Sequence, residues 1–566
     1  MSGLDWAVIA LYFIIIGVVA WWYGRHQKDT TDFFLAGRNA GWITIGASIF
    51  TSNIGSEHIV GLAGQGAATG MAMAHWELHA WVLIMLAGLF VPFYYKSGVE
   101  TIPEFLEKRF SARTRLILSG VSLVAYVFTK VSVTVYAGAI VFQALLPEVS
   151  MTIAGQTLDA FWIGAFSTVI ITGAYTVFGG MRAIMATSTP QAVIILFGSF
   201  VITYIGLSKL GGWGELVSMC KANSAQFALW RPLSDPNFPW LGVLIASPII
   251  GIWYWCTDQY IVQRALSAKD LATARRGALF GGLLKVWPVL IFLIPGMIGW
   301  ALHQKGIITL PPKIVGGEQV AAIDGDRVFP TLVTALLPSG IRGLIVACLL
   351  AALMSSLASL FNSSASLFTV DIYEKIRPGQ SPKHLLNVGR IATVVVVGLG
   401  IIWIPVMAKI SGGGLYQYLQ SVQGYLAPPI TAVFLLGLFW NRVNSAGATW
   451  GLAGGFILGM IKLTLQTFYG KGKIEQPAVL AAIADFNFLY ATGALLVASI
   501  LIMVVVSLMT PPPPPEKLKG LTYSTIHVGQ TADEIKKSWD LGNKVMAGLI
   551  LLLVGGMYLY FSFWLK

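Results

Sequence analysis

The chain is short of charge and short of cysteine. Only 11% of its 566 residues are charged, where soluble domains carry about 25%, and that shortfall excludes an ordinary soluble fold. The three cysteines, Cys220, Cys256 and Cys348, lie far apart with no C-x-x-C spacing, so neither a disulfide framework nor a thiolate metal centre is indicated. No nucleophile, base and orienting residue stand together, which removes the enzyme reading. A net charge of +12 would suit nucleic acid only if the basic residues made a face of their own. They sit in short connections on one side of apolar runs, so topology accounts for them and no nucleic-acid partner is called for.

What is plentiful is apolar length. Hydrophobic residues make up 56% of the chain and the mean hydropathy is +0.73. At about 20 residues per crossing, fourteen spans can be drawn: 4–24, 41–69, 71–95, 116–146, 159–180, 189–209, 240–260, 277–303, 340–370, 388–408, 413–440, 446–468, 485–509 and 543–564. The first has no basic region before it and no small-residue cleavage site, so it reads as a retained helix. With the N-terminus outside, the inside loops hold twenty-three Lys and Arg against ten on the other face, as the positive-inside rule requires. The expectation is an all-α polytopic membrane protein of about 14 transmembrane helices, with both termini extracellular or periplasmic.

The spans group unevenly. Residues 1–30 hold an accessory helix. The five spans starting at Gly41 fill the block 41–209, the five starting at Trp240 begin in the block 240–408 and run on into the next span, and each set opens on a helix with polar or aromatic interruptions. An odd count forces the blocks into opposite orientations, the pattern of a five-plus-five inverted repeat with a midplane site. Further helices follow over 413–509. The segment 510–544 opens on Pro511 to Pro515 and reads as a stiff spacer, which leaves 545–566 as a peripheral helix with no assigned chemistry. The outside loop 304–339, rich in Gly, Pro and acidic residues, suits the cover of an entrance.

The first block opens on the most informative stretch, Thr51-Ser52-Asn53-Ile54-Gly55-Ser56-Glu57-His58. Unwound polar backbone at membrane depth survives only where it lines a buried or watery cavity. Ionisable residues within spans cost roughly 2.5–3.5 kcal/mol for Asp, Lys or Arg by insertion scales, and Glu57, His58, Glu77, Lys130, Lys285 and Lys462 form that set. Glu77 reads as an acceptor for a polar solute or partner to a cation, and Lys285 is the obvious cation; a purely structural ion pair is the plainer alternative. His75 and His79 are at i and i+4, but Glu77 faces away from them, so metal is not expected. Lys462 can snorkel to an interface, and Lys130 has no assigned role. Trp253-Tyr254-Trp255-Cys256-Thr257-Asp258-Gln259 offers flat aromatic faces with a hydroxyl, suited to a sugar-like ring or, equally, to interfacial packing. Ala352, Ser355 and Ser356 share one helical face and offer hard oxygens to a small cation, although the Ala352 carbonyl is free only if the helix ladder is irregular there.

Together, 52–64, 253–259, Leu353-Met354-Ser355-Ser356-Leu357 with Phe361-Asn362-Ser363, and Phe434-Leu435-Leu436-Gly437-Leu438-Phe439-Trp440 resemble the sodium/solute symporter family, in its sodium/glucose cotransporter branch, over about 32–510. The resemblance implies alternating access. By motif position it implies a sugar site of Asn53, His58, Leu62, Glu77, Tyr254, Trp255, Lys285, Tyr416 and Gln420, with Tyr254 closing the sugar from the inside and Asn53 holding its hydroxyl. It implies a sodium site of Thr51, Ile54, Ala352, Ser355 and Ser356, and sodium as the co-transported ion. Two departures stand out: relatives usually carry Asp near Ser188, and two-sodium members a hydroxyl at Ala358. One sodium per sugar follows from both. The Cys-rich outer loop of animal carriers is missing, which suggests a bacterial inner membrane. A polyol such as myo-inositol is the alternative cargo; a nutrient sensor or channel is a more distant reading.

The orientation is open to test. Cysteines introduced as Ser2→Cys and Lys566→Cys should both react with a membrane-impermeant maleimide in intact cells; reaction only after lysis would invert the topology.

Overall fold

The computed structural model describes residues 1–566 except 26, 154, 316–317, 411–414, 471–476 and 528; within helices and strands it leaves aside the side chains of 128, 153, 156, 314–315, 318, 320–321, 404–410, 415–418 and 529–530. Lipid offers a backbone no hydrogen bonds, so a spanning chain closes them within helices. Among the described residues twelve helices are long and apolar enough to cross a membrane. Two are too long for one crossing. Ala160–Leu210, at 51 residues, would extend about 76 Å against a core of about 30 Å. It turns instead at Gly180, whose φ of 53° suits a residue without a Cβ. Ser56–Ser97 likewise turns at Gly70, with φ 61°. Split at these turns, and with Trp42–Asn53 joined to the half-helix that follows it, the helices return the fourteen crossings counted from the sequence.

Both blocks do open on an interrupted helix. In the first, Trp42–Asn53 stops at Ile54, which is extended at φ −86° and ψ 93°, and the chain resumes as Ser56–Thr69. In the second, Trp240–Ile252 loosens into a π-turn over Trp253–Thr257, Asp258 is extended, and Gln259–Leu266 follows. Further π-turns lie at Leu86–Phe90, Tyr126–Val131, Val289–Leu293 and Leu367–Tyr373. Such turns are rare and concentrate at functional sites.

The half-helix Ser56–Thr69 is held very closely. A Cβ on Gly296 would sit 1.8 Å from the Ala63 carbonyl oxygen, and one on Gly66 would sit 2.1 Å from that of Leu293. Small residues permit such contact, which is how helices associate where lipid supplies no hydrophobic drive. Its far end is capped by the two long connections that precede Trp240 and Ile341. Gln226 Nε2 donates to the Ala67 carbonyl at 2.9 Å, Arg231 donates to that of Thr69 at 2.9 Å, and Gly325 rests against Gly64. The last carbonyls of a helix need such partners. The loop that carries Gly325 also holds an antiparallel hairpin, Pro312–Val315 with Glu318–Ile323.

The C-terminal region departs from the expectation. Residues after the prolines are not a bare spacer: they include the helix Gly529–Lys537, and Arg275 donates to the Ile535 carbonyl at 2.7 Å and the Ser538 hydroxyl at 2.9 Å. Lys517 reaches the Glu107 carbonyl at 2.8 Å, and Lys96 pairs with Glu534. The final helix, Leu541–Phe563, packs on the helices that carry Lys285 and follow Glu77, with Ile550 set against Gly282. Repeated polar anchors on the inside face, which composition does not register, draw it onto the body. Lys462 also differs: its ammonium donates to the Ala484 carbonyl at 2.8 Å and the residue is buried, so it satisfies a helix end instead of snorkelling.

Overpacking the closest helix contact should be costly. Gly296→Val is expected to destabilise by about 3 kcal/mol or more, read as a fall in the unfolding temperature of the purified protein, whereas Gly17→Val, with nothing within 4 Å of its Cβ position, should change little.

Candidate functional site

The first interruption turns two helix ends toward a cavity of about 50 Å³. A half-helix C-terminus presents carbonyl oxygens and a half-helix N-terminus presents N–H groups, so each end favours an opposite charge. Five elements supply the walls: the first interrupted helix gives Asn53 and His58, the short segment Ala74–Glu77 gives Glu77, the π-turn gives Tyr254 and Trp255, Leu271–Lys285 gives Lys285, and Leu415–Phe439 gives Gln420. These seven expected residues, spread over more than 360 positions of sequence, line one cavity. Leu62, one turn beyond His58, is fully buried and is not in its lining. The Tyr416 side chain lies outside the described residues.

Lys285 Nζ lies 2.5 Å from Glu77 Oε2, with both side chains at most 2% exposed. Each residue ends its helical segment, so the pair faces the cavity. The ammonium also stands 5.6 Å from the centre of the Trp255 ring, within cation–π range. Asn53 Nδ2 donates to the Tyr254 hydroxyl at 3.1 Å and lies 3.4 Å from His58 Nε2. Tyr254 meets Trp255 edge to face at 5.0 Å. Gln420 Oε1 is buried with no hydrogen-bond partner among the described residues, an arrangement that a bound polar group would complete. A carboxylate, an ammonium, amides and an imidazole around flat aromatic faces form a surface able to bind a small polar solute.

Of the expected cation residues, Ser356 lines this cavity, and the helices that carry Thr51 and Ser355 pack against each other. The carbonyls of Thr51, Ser52 and Asn53 fall at the end of a helix, beyond its own ladder, and that of Ser52 accepts the Tyr260 hydroxyl. Across from them runs Ile341–Ser366, the helix of Ala352, Ser355 and Ser356. Ser52 Oγ and Ser359 Oγ are 2.8 Å apart, and Tyr260 OH is 3.0 Å from Ser356 Oγ. Ser355 Oγ is buried and has no hydrogen-bond partner among the described residues. This helix is regular through 352–356, so the Ala352 carbonyl is not released from the ladder and offers only its second lone pair. Oxygen donors without a carboxylate suit a hard monovalent ion. Ser188 spends its hydroxyl on Ser48 Oγ at 3.2 Å and the Ile184 carbonyl at 2.6 Å, and Ala358 is fully buried.

The sequence reading left out Lys130, His79, Tyr260 and Gln423, which also line the cavity. Mid-span charge was the available signal for Lys130. His79 donates to or accepts from Ser247 Oγ at 2.6 Å, and His75 turns away to Tyr558 and the Leu229 carbonyl. Glu57 lines the cavity with its carboxylate 3.7 Å from His58 Nδ1.

Elsewhere, polar contacts tie helical segments together: Arg115 Nε pairs with Asp371 at 2.5 Å, Thr101 donates to the same carboxylate at 2.7 Å, and Gln259 accepts from the Ile102 N–H at 2.8 Å.

Comparison with known proteins adds an independent line. The profile of the "Sodium:solute symporter family" matches residues 33–455. Sodium/glucose cotransporter 4 of Danio rerio is 39% identical, in an alignment covering 95% of this chain and 84% of that protein. The sodium/myo-inositol cotransporter of Homo sapiens is 38% identical over 88% of this chain and 73% of its own. Among solved structures, the substrate-bound outward-open state of a Na+-coupled sialic acid symporter superposes with a TM-score of 0.74 at 20% identity, covering 90% of this chain and 99% of that one; at that identity the likeness is one of fold.

A double-mutant cycle tests the central ion pair. Lys285→Met alone strands a buried carboxylate and should cost about 3–5 kcal/mol, whereas Lys285→Met with Glu77→Gln should recover much of that; unfolding temperatures that add without coupling would show that the pair does not act as a unit.

Proposed function

The chain belongs to the sodium:solute symporter family, a family of sodium-coupled solute symporters and not of enzymes, and we propose that its solute is a monosaccharide of the glucose or galactose type, imported with one sodium. The observation that carries this reading is the Glu77–Lys285 pair set against Trp255. A neutral sugar can be bonded by both charges without either being neutralised, and its C–H face can stack on the ring. Asn53, His58, Tyr254 and Gln420 complete the proposed sugar site, with Leu62 and Tyr416 as proposed packing positions. Sodium is a co-substrate, held in this reading by Thr51, Ile54, Ala352, Ser355 and Ser356. The unpartnered Ser355 hydroxyl supports that set.

Coupling follows from differential binding. A ligand moves a conformational equilibrium only by its difference in affinity between two states. Sodium at the end of Trp42–Asn53 holds the same interruption that carries Asn53 and His58, so it prepares the sugar site. Reciprocity then requires sugar to tighten sodium by the same factor. The blocks 41–209 and 240–408 are, in this reading, the two inverted repeats, and their matching interrupted helices support it. A single sodium is favoured because Ser188 and Ala358 bring neither a carboxylate nor a second hydroxyl. We place the protein in a bacterial inner membrane with both termini outside, on the charge asymmetry of its loops and the cysteine-poor outer connections. A myo-inositol symporter is the second reading, favoured by the human relative above and by a polar ring that any cyclic polyol would satisfy.

Proteoliposomes decide between them. Labelled glucose should accumulate under an inward sodium gradient, not with potassium, and excess galactose should block it; uptake of inositol in its place would overturn the sugar. A charge-to-sugar flux ratio near one is expected. Ser355→Ala should raise the sodium requirement with little change in sugar affinity, and Lys285→Ala the reverse; equal effects in both variants would refute two separate sites.

A further inference from the structure

Lys130, a mid-span charge without an assigned role, stands in a dense polar and aromatic environment. Its ammonium lies 2.5 Å from Asp258 Oδ2. Around it stand four aromatic rings, with centres at 5.0 Å for Tyr126, 5.1 Å for Trp253, 4.8 Å for Tyr254 and 4.7 Å for Tyr260. Tyr126 donates its hydroxyl to the other Asp258 oxygen, which also lies 3.4 Å from the Tyr260 N–H. Both charges occupy irregular backbone: Lys130 is in the π-turn Tyr126–Val131, and Asp258 is the extended residue that interrupts the second block's first helix.

Two walls of this box reach the other interruption. The Tyr254 hydroxyl accepts from Asn53, and the Tyr260 hydroxyl donates to the carbonyl of Ser52 while lying 3.0 Å from Ser356 Oγ. Ser52 and Asn53 are adjacent at the end of Trp42–Asn53. One ring therefore touches the proposed sugar side, the other the proposed sodium side, and the same ammonium lies between them.

We propose that Lys130 and Asp258 are positioning residues for coupling: their ion pair locks the two helix interruptions together, so that Tyr254 and Tyr260 respond as one body to sodium and to sugar. The proposal rests on the sodium-and-sugar reading above. Neither residue is assigned to hold a ligand. A cation centred among four quadrupoles orients all four rings at once. Without it, Asp258 is left as an uncompensated charge at the interruption, and Tyr254 and Tyr260 lose the group that keeps them in register.

The test separates coupling from binding. Sodium affinity is read from the intrinsic tryptophan fluorescence of purified protein in nanodiscs, first alone and then with saturating glucose, galactose or myo-inositol. In the wild type one of these sugars should tighten sodium by a factor in the range of roughly 5 to 150. In Lys130→Gln that factor should fall below about 2, while sodium affinity without sugar stays within about threefold of wild type, and Lys130→Arg, which restores charge and ring contact, should keep most of the coupling. Lys130→Gln with the wild-type factor would overturn the proposal and leave the sugar reading standing. Loss of sodium binding itself in both variants would overturn it in favour of a purely structural pair. A wild-type protein unmoved by all three sugars would overturn the sugar reading, and the coupling role with it.

Discussion

Backbone satisfaction in lipid is the constraint on which the rest of the structure depends. Every N–H and C=O at membrane depth needs a partner, so a helix can be opened only where protein surrounds the opening. The chain opens two helices, at Ile54–Gly55 and at Asp258, and arranges other elements around both. Tyr260 satisfies the Ser52 carbonyl, Ser56 Oγ bonds the Thr134 carbonyl at 2.8 Å, and Asp258 caps the helix that follows it. What these openings yield is a set of polar backbone ends at mid-depth that an unbroken helix cannot present.

Charge follows the same logic. Several charges drawn inward have an opposite charge or a carbonyl close by: Glu77 with Lys285, Asp258 with Lys130, Asp371 with Arg115, and Lys462 with the Ala484 carbonyl. The three ion pairs serve different depths. Glu77–Lys285 faces the cavity and remains able to bond a neutral solute. Lys130–Asp258 meets the cavity through Lys130, among aromatic rings, and Arg115–Asp371 ties the helix Ala112–Ala125 to the π-turn Leu367–Tyr373. Removing one member of such a pair is far costlier than removing both, which makes paired substitutions more informative than single ones.

The framework is held by two kinds of contact. Glycine contacts and carbonyl caps set two loops on Ser56–Thr69. Charged and amide side chains join separate helical segments. The C-terminal helix braces the crossing next to Lys285 through Ile550 and Gly282, so a helix with no site residue of its own still touches the framework of the site.

Much of this was legible in the sequence because local chemistry dictates it. Apolar runs of spanning length and one-sided Lys and Arg determine the membrane class and the crossings; the Gly-broken polar run at 51–58 determines where a helix opens; mid-span Glu77 and Lys285 mark themselves by their cost. Only the tertiary structure decided the partners. Lys130 and Asp258 are 128 residues apart, Ser52 and Ser359 are 307 apart, and no periodicity links such pairs. The anchoring of 510–540 rests on single polar contacts with distant loops, and the placing of Lys462 on a helix end depends on a neighbour's carbonyl. Sequence specifies hydropathy and local backbone preference, whereas the choice among many possible partners for a buried charge is settled by which helices pack together.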